Sequence, residues 1–164
     1  MNLSVITITY NEPEALQRTL RSLVPLAASP LSWELVIVDS STALNREIIG
    51  AFPMLPVNHV SQEPKGIYPA MNAGLALARG EIVWFLNGGD ELLHANVLKS
   101  AVDTLGENSN SVMLLAAAEL TRGGHSAIFA TAQRRSRADD RHKPHMPSGS
   151  IVSPLLSRGV RTLF

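Results

Sequence analysis

Short apolar runs alternate with segments of helical spacing along the first two thirds of the chain. The runs are rich in β-branched residues or almost continuously apolar, which is typical of strands buried on both faces. They cover residues 3–9, 33–38, 57–60, 81–86 and 111–117. After about Gly123 the pattern weakens, although residues 127–132 favour one more strand and residues 134–145 indicate a polar loop.

The segments between these runs predict helices. The first is expected to begin after Asn11, a good N-cap, and to end at Pro25. The others are expected from the polar turn at residues 39–42 to about residue 52, over residues 67–79 with Gly80 as the C-terminal stop, and over residues 95–105. Strands that alternate with helices at this spacing predict an α/β fold, with a mainly parallel sheet and helices on both faces.

Composition narrows the class of protein. The 164 residues suit one compact core, and the formal net charge of zero argues against a nucleic-acid partner, which would need clustered cations. The absence of cysteine excludes a disulfide framework, a thiolate metal site and a cysteine nucleophile. The N-terminal residues have neither a cationic region nor a long apolar region, so we expect no signal peptide. No apolar run approaches the roughly 20 residues that span a bilayer. We therefore expect a cytoplasmic protein, with peripheral association at the inner face of the membrane left open.

Polar clusters follow three of the predicted strands, at residues 9–12, 39–42 and 87–90. Ligands of open parallel sheets bind beyond the carboxyl ends of the strands, so these clusters predict one binding edge. The alternative is that turns after strands are simply polar. The chain has neither a P-loop nor a glycine triplet after the first strand, so a bound diphosphate would need a metal or cationic side chains.

Four sequence blocks resemble one family. ITITYNEPEALQRTLRSL, WELVIVDSST, KGIYPAMNAG and FLNGGDE, spread over residues 3–92, are similar to family 2 glycosyltransferases, especially the colanic-acid type of exopolysaccharide synthesis. The resemblance implies a GT-A-like, Rossmann-like fold with the nucleotide-binding half largely present at residues 1–122 and an incomplete acceptor half at residues 123–164. It also implies inverting transfer of a sugar from a nucleoside diphosphate sugar to a polysaccharide or lipid-linked acceptor.

The resemblance assigns the nucleoside to the first two clusters. Tyr10 is expected to stack on the base, with Asn11 and Glu12 making polar contacts, and Asp39 to accept hydrogen bonds from the base or ribose. The alternatives are that Tyr10 covers the core and that Asp39 caps the next helix, and the two roles of Asp39 are compatible with each other.

The resemblance implies that residues later in the chain bind the diphosphate and the sugar. Lys65 and Gly66 precede a helix, where a cation and backbone N–H groups suit a diphosphate, although Lys65 fits a solvated loop equally well. Asn72 is expected to face the sugar or else the solvent. Asp90 matches the last acid of the family's metal-binding turn and is the expected ligand of a divalent cation, Mg²⁺ or Mn²⁺.

Departures from the family pattern concentrate near the C-terminus. Residues 146–150 read MPSGS where the family has a histidine and a glutamine, and the chain ends about where relatives continue into the acceptor half. The catalytic base stays unknown, because His142 and His145 have no feature beyond exposure in a cationic loop. A truncated, non-catalytic nucleotide-sugar-binding remnant is therefore the alternative function. A sugar nucleotidyltransferase ranks last, because the glycine-rich opening loop is absent.

An incomplete acceptor half would leave apolar residues uncovered, and we expect an exposed patch and self-association. The residues concerned are Ile151, Val152, Leu155, Leu156 and Leu163.

Overall fold

The computed structural model describes residues 2–43, 45–107, 111–114, 118–122, 125–129, 134–136 and 161–163. The strands are β1 (Leu3–Thr9), β2 (Trp33–Asp39), β3 (Val57–Ser61), β4 (Ile82–Phe85), β5 (Ser111–Leu114), β6 (Ala118–Arg122), β7 (His125–Phe129), β8 (Arg134–Ser136) and β9 (Arg161–Leu163). The helices are α1 (Pro13–Leu23), α2 (Arg46–Gly50), α3 (Ile67–Leu77) and α4 (Ala95–Glu107), and a 3₁₀ helix over Val24–Ala28 follows α1.

The main sheet has the strand order β3-β2-β1-β4-β9-β5-β8. Its neighbours pair in parallel except for β5 and β8, which pair antiparallel. β6 and β7 form a separate antiparallel hairpin. The predicted α/β fold with a mainly parallel sheet is thus confirmed.

The two faces of the sheet carry separate cores because side chains alternate along β1. Leu3 and Val5 pack with α1 and α4 on one face, whereas Ile6 packs with α3 on the other. The apolar stripe of α1 is fully buried, and each such leucine stabilises the fold by roughly 1.5–3 kcal/mol. Helices on both faces are confirmed.

Two of the predicted helix boundaries are wrong for instructive reasons. Asn11 is not the N-cap of α1, which begins at Pro13 after Glu12, because the Asn11 side chain bonds the loop after β2 instead. Gly80 is not the stop of α3, which ends at Leu77. A Cβ on Gly80 would lie 2.6 Å from backbone atoms of Leu3 and Ser4, so this glycine permits close approach to β1.

Two short strands come from the part of the sequence with the weakest pattern. β8 forms where a polar loop was predicted, and β9 lies in parallel between β4 and β5. Both fall within residues 123–164, yet they join the sheet built by residues 1–122, and the proposed division into two parts stays a prediction. Leu163 belongs to β9, while the other four residues of the expected apolar patch lie outside the described residues.

Within the described part of the chain, no helix combines the length and apolar character that crossing a membrane requires.

Candidate functional site

An open pocket of about 530 Å³ lies at the carboxyl edge of the sheet. It receives residues from the loops after β1, β2 and β4 and from the start of α3. The lining residues are Ile8, Thr9, Tyr10, Glu12, Ser40, Pro64, Gly66, Ile67, Ala70, Asn87 and Gly88. All three polar clusters therefore contribute to a single concave surface, as expected for strands that end at the same edge.

The central position of β1 explains this convergence. β2 and β4 flank β1, so the loops after these strands lie on either side of the loop after β1. The Gly88 N–H donates to the Ile8 carbonyl at 2.9 Å, and a Cβ on Gly88 would lie 3.2 Å from that oxygen. The glycine thus lets the loop after β4 lie close against the end of β1.

Tyr10 is at the pocket and not in the core. Its side chain is 56% exposed, so the alternative that it covers the core is wrong. The neighbouring Ile67 is 53% exposed and also lines the pocket. An exposed aromatic ring beside an apolar wall suits a flat, stacking ligand such as a nucleobase.

Asn11 ties two loops together. Its Oδ1 accepts hydrogen bonds from the Thr42 N–H at 2.9 Å and the Thr42 hydroxyl at 3.1 Å, and its own N–H donates to Ser41 Oγ at 2.9 Å. Its φ of 54° is a left-handed conformation that asparagine tolerates better than most residues. Asn11 does not line the pocket; it fixes the backbone beside Tyr10.

Asp39 lies behind the pocket wall. Its side chain is fully buried, and its carboxylate accepts hydrogen bonds from the Ser41 N–H and from the backbone and side-chain N–H groups of Asn45. His59 Nε2 lies 3.5 Å from Asp39 Oδ2. Burial raises the pKa of Asp39, but the hydrogen bonds from Ser41 and Asn45 outweigh it and lower the pKa below its ordinary value.

This geometry agrees with the alternative for Asp39. The carboxylate holds Asn45, the residue before α2, so it organises the entry to that helix. Ser40, and not Asp39, reaches the pocket.

Of the three residues predicted to bind the donor at or near the start of α3, only one lines the pocket. Gly66 lines the pocket with a φ of 98°, while Lys65 is exposed and does not line it. Asn72 is half-buried on α3, outside the lining, and its Oδ1 is buried without a hydrogen-bond partner among the described residues.

The turn after β4 carries Asp90, which is exposed and does not line the pocket. The Asp90 N–H donates to the Asn87 carbonyl at 3.0 Å, and Gly89 takes a φ of 101°. The Asp90 side chain is exposed, and its carboxylate makes no hydrogen bond or ion pair with the described residues. Asn87 and Gly88 line the pocket, and Asp90 follows on the same turn.

These donors fit one kind of metal site. No group of three or more histidine or acidic side chains suited to a metal occurs in the described ranges, so a cage built only of protein ligands does not fit. A hard divalent cation that takes phosphate oxygens and keeps several waters does fit a single free carboxylate. Asp90 has such a carboxylate, and its role as a metal ligand stays a prediction.

Several lining residues escaped prediction because they belong to apolar patterns. In the sequence, Ile8, Ile67 and Ala70 have the pattern of core positions of a strand and a helix. They line the pocket because they lie near the ends of those elements, at the carboxyl edge of the sheet. Thr19 and His59, which bond or approach site residues from α1 and β3, carry no local signal at all.

Residues 4–146 match the family model described as Glycosyl transferase family 2. The chain belongs to this family. The predicted family is confirmed, and its colanic-acid branch stays a prediction.

Among curated proteins, this family 2 chain is 33% identical over 106 residues to an uncharacterized glycosyltransferase of Mycobacterium tuberculosis, covering 63% of the chain and 39% of that protein. It is 26% identical over 116 residues to the poly(ribitol-phosphate) β-N-acetylglucosaminyltransferase TarP of Staphylococcus aureus, covering 68% of the chain and 35% of TarP. The chain thus spans about two fifths or less of the length of these relatives.

Solved structures confirm the GT-A fold. S. aureus TarS 1–349 in complex with UDP-GlcNAc superposes with a TM-score of 0.64 at 27% identity, over 75% of this chain and 36% of TarS. The mannosyltransferase PcManGT of Pyrobaculum calidifontis, solved with GDP-Man and Mn²⁺, has a TM-score of 0.64 at 19% identity, over 99% of this chain and 54% of PcManGT. At that identity the second likeness supports the fold alone.

Proposed function

We propose that the pocket binds a nucleoside diphosphate sugar and that the chain is the donor-binding part of an inverting glycosyltransferase with a polysaccharide or lipid-linked acceptor. The observation that carries the proposal is the convergence of Tyr10, Gly66 and Asn87 in one pocket of a family 2 chain. TarS, at 27% identity, was solved with UDP-GlcNAc, so a UDP-sugar is the first donor class to test.

The nucleoside would lie on the Tyr10 side of the pocket. Stacking on an aromatic ring contributes roughly 1–3 kcal/mol per base, and Ile67 supplies apolar surface nearby. Glu12 and Ser40 offer oxygen acceptors for base or ribose groups. Asp39 holds the loop that carries Ser40, and its direct contact with the base stays a prediction.

The diphosphate would lie between the start of α3 and the turn after β4. Gly66 leaves the first turn of α3 open to a ligand, and backbone N–H groups at a helix N-terminus favour anions. Lys65, which is exposed beside Gly66 but outside the lining, would supply a cation at this end, and Asp90 would hold a divalent cation. When bound, that cation would stabilise the leaving diphosphate by Lewis acidity. Asn72 would serve the sugar.

The acceptor side is assigned only in outline. An inverting transfer needs a base that takes the acceptor proton as the nucleotide leaves on the opposite face. His142 and His145, the titratable residues nearest the expected acceptor segment, lie outside the described residues. Location, self-association and membrane contact likewise stay predictions.

Calorimetry on the full chain tests the donor assignment. UDP-GlcNAc, GDP-mannose and a dTDP-sugar are titrated with Mn²⁺ and with EDTA, and at least one should bind more tightly with the metal. Asp90→Asn should remove the metal-dependent gain, because it removes the carboxylate charge. Asp103→Asn, which changes an exposed aspartate of α4, is the matched control and should bind like the unchanged protein. Absence of binding by every donor contradicts the proposal.

A further inference from the structure

We propose that Thr19, on α1, is a positioning residue that holds the turn after β4 so that Asp90 faces the diphosphate. The inference rests on the proposed function, because it concerns the same metal-bearing turn. Thr19 itself is fully buried and does not line the pocket.

The Thr19 hydroxyl bonds the turn at two consecutive residues. Its Oγ1 accepts a hydrogen bond from the Gly89 N–H at 2.9 Å and donates to the Asp90 carbonyl at 2.8 Å. A hydroxyl has one hydrogen to donate and lone pairs to accept, so both bonds can form together. The backbone on both sides of the Asp90 nitrogen is therefore fixed by one side chain.

Ordinary helix geometry does not explain these contacts. Threonine in a helix often bonds the carbonyl four residues earlier, and Thr19 Oγ1 does lie 3.3 Å from the Ala15 carbonyl. The Asp90 carbonyl is closer, however, and the shorter distance identifies it as the main acceptor. The hydroxyl thus serves the turn first and its own helix second.

A second hydroxyl on α1 extends the same contact. Ser22 Oγ accepts a hydrogen bond from the Leu92 N–H at 3.0 Å and donates to the Thr19 carbonyl at 2.7 Å. Arg18 lies 3.8 Å from Glu91, but both side chains are half-exposed and the pair adds little. α1 therefore holds the turn at Gly89 and at Leu92, on either side of the exposed Asp90 and Glu91.

The turn needs such support because its own bonds are few. Gly89 has a positive φ, and within the turn the Asp90 N–H donates to the Asn87 carbonyl. α1 is a rigid support, since Leu16, Leu20 and Leu23 anchor it in the core. It also begins directly after the loop that carries Tyr10 and Glu12. One helix thus links the base side of the pocket to the metal side.

The test compares Thr19→Val, which keeps the shape and removes the hydroxyl, with Thr19→Ser, which keeps the hydroxyl. Ser4→Ala is the matched control, because Ser4 is a buried hydroxyl that also bonds a loop but lies at the opposite end of the sheet. One readout is amide hydrogen exchange at Gly89 by NMR without metal. The other readout is the Mn²⁺-dependent gain, which is the affinity for UDP or GDP measured with Mn²⁺ divided by the affinity measured with EDTA.

Thr19→Val should make the Gly89 amide exchange about tenfold faster, as expected for the loss of one hydrogen bond. It should also lower the Mn²⁺-dependent gain in nucleotide affinity by about 10- to 100-fold, the usual effect of losing a group that orients a metal ligand. Thr19→Ser should restore both values. Ser4→Ala should lower the thermal midpoint and leave the Mn²⁺-dependent gain unchanged.

Different results overturn different claims. Unchanged Gly89 exchange in Thr19→Val shows that the hydroxyl does not hold the turn. Faster exchange with an unchanged Mn²⁺-dependent gain reduces Thr19 to a structural role and overturns the inference. If the unchanged protein shows no Mn²⁺-dependent gain with UDP or GDP, the metal assignment of Asp90 fails, and this inference fails with it.

Discussion

Among the described residues, the two ends of the parallel sheet differ in how completely their buried polar groups are hydrogen-bonded. At the amino end, the Ser4 hydroxyl and the Arg79 N–H both donate to Glu34 Oε1 at 2.6 Å, and the Gly80 N–H donates to Ser4 Oγ at 2.8 Å. At the carboxyl end, Thr9 Oγ1 and Asn87 Oδ1 are buried without partners among the described residues. Both of those residues line the pocket.

This difference distinguishes buried polar groups that stabilise the fold from buried polar groups that are available to a ligand. Buried polar groups in native proteins are nearly always hydrogen-bonded, so a fully bonded cluster contributes to folding. Unpaired groups beside a pocket cost stability and are explained when a ligand supplies the missing bonds. The comparison predicts that substitutions in the bonded cluster at the amino end change stability, whereas substitutions of exposed side chains that line the pocket change binding.

The largest effect should follow Glu34→Ala. The substitution removes a buried acceptor shared by two donors and should lower the free energy of unfolding by about 2–4 kcal/mol. Urea unfolding measures this loss. Donor affinity of the folded protein should stay unchanged, and a loss below about 0.5 kcal/mol would contradict the structural role of this end.

Tyr10→Ala should weaken nucleotide binding and leave the stability of the fold nearly unchanged. Loss of base stacking should weaken nucleotide binding by about 10- to 100-fold, equivalent to roughly 1–3 kcal/mol. The free energy of unfolding should change little, because the side chain is 56% exposed. Calorimetry and urea unfolding separate the two effects. Tyr10→Phe keeps the ring and should bind almost as well as tyrosine.

Asn11 lies beside the pocket but has a structural role, so its substitution should change stability. Asn11→Ala removes the bonds from Thr42 and places alanine at a positive φ, so the free energy of unfolding should fall by about 1–2 kcal/mol. Asn11→Gly removes the same bonds without the conformational cost and should lose less. Equal losses in the two variants would show that backbone conformation contributes nothing here.

Asp39 should give the smallest effect, visible as a dependence on pH. Because the folded-state pKa is lowered, its contribution to stability is present above the ordinary aspartate pKa of about 3.9 and is lost as pH falls through the lower folded value. The stability difference between the unchanged protein and Asp39→Asn should therefore be largest above about pH 5 and narrow towards pH 3. A difference that does not vary with pH would contradict this assignment.

The sequence predicted the elements whose patterns are local. β1 has the predicted bounds, because six of its seven positions are buried and the run is rich in β-branched residues. β9 was missed, because its three residues carry no period and their pairing depends on β4 and β5. Gly80 was assigned to a helix end, because its close approach to β1 is a tertiary contact.

The same limit applies to the site. Tyr10, Glu12 and Gly66 follow strands or precede a helix, so their positions at the pocket could be expected from topology. The bonds of Asn11 to Thr42 and of Thr19 to Gly89 join residues far apart in the chain, so no local pattern predicts them. The convergence of the loops could be predicted, but which side chains line the pocket depends on long-range hydrogen bonds that no local pattern shows.

The most direct measurement maps donor binding on the backbone amides of the full chain by NMR. UDP-GlcNAc and GDP-mannose are added in turn with Mg²⁺, and chemical-shift changes are compared at the two ends of the sheet. The account predicts that at least one donor shifts the amides of Tyr10, Gly66 and Gly88 and leaves Gly80 unchanged. Changes centred on Gly80, or none at Tyr10, Gly66 and Gly88 with either donor, would contradict it.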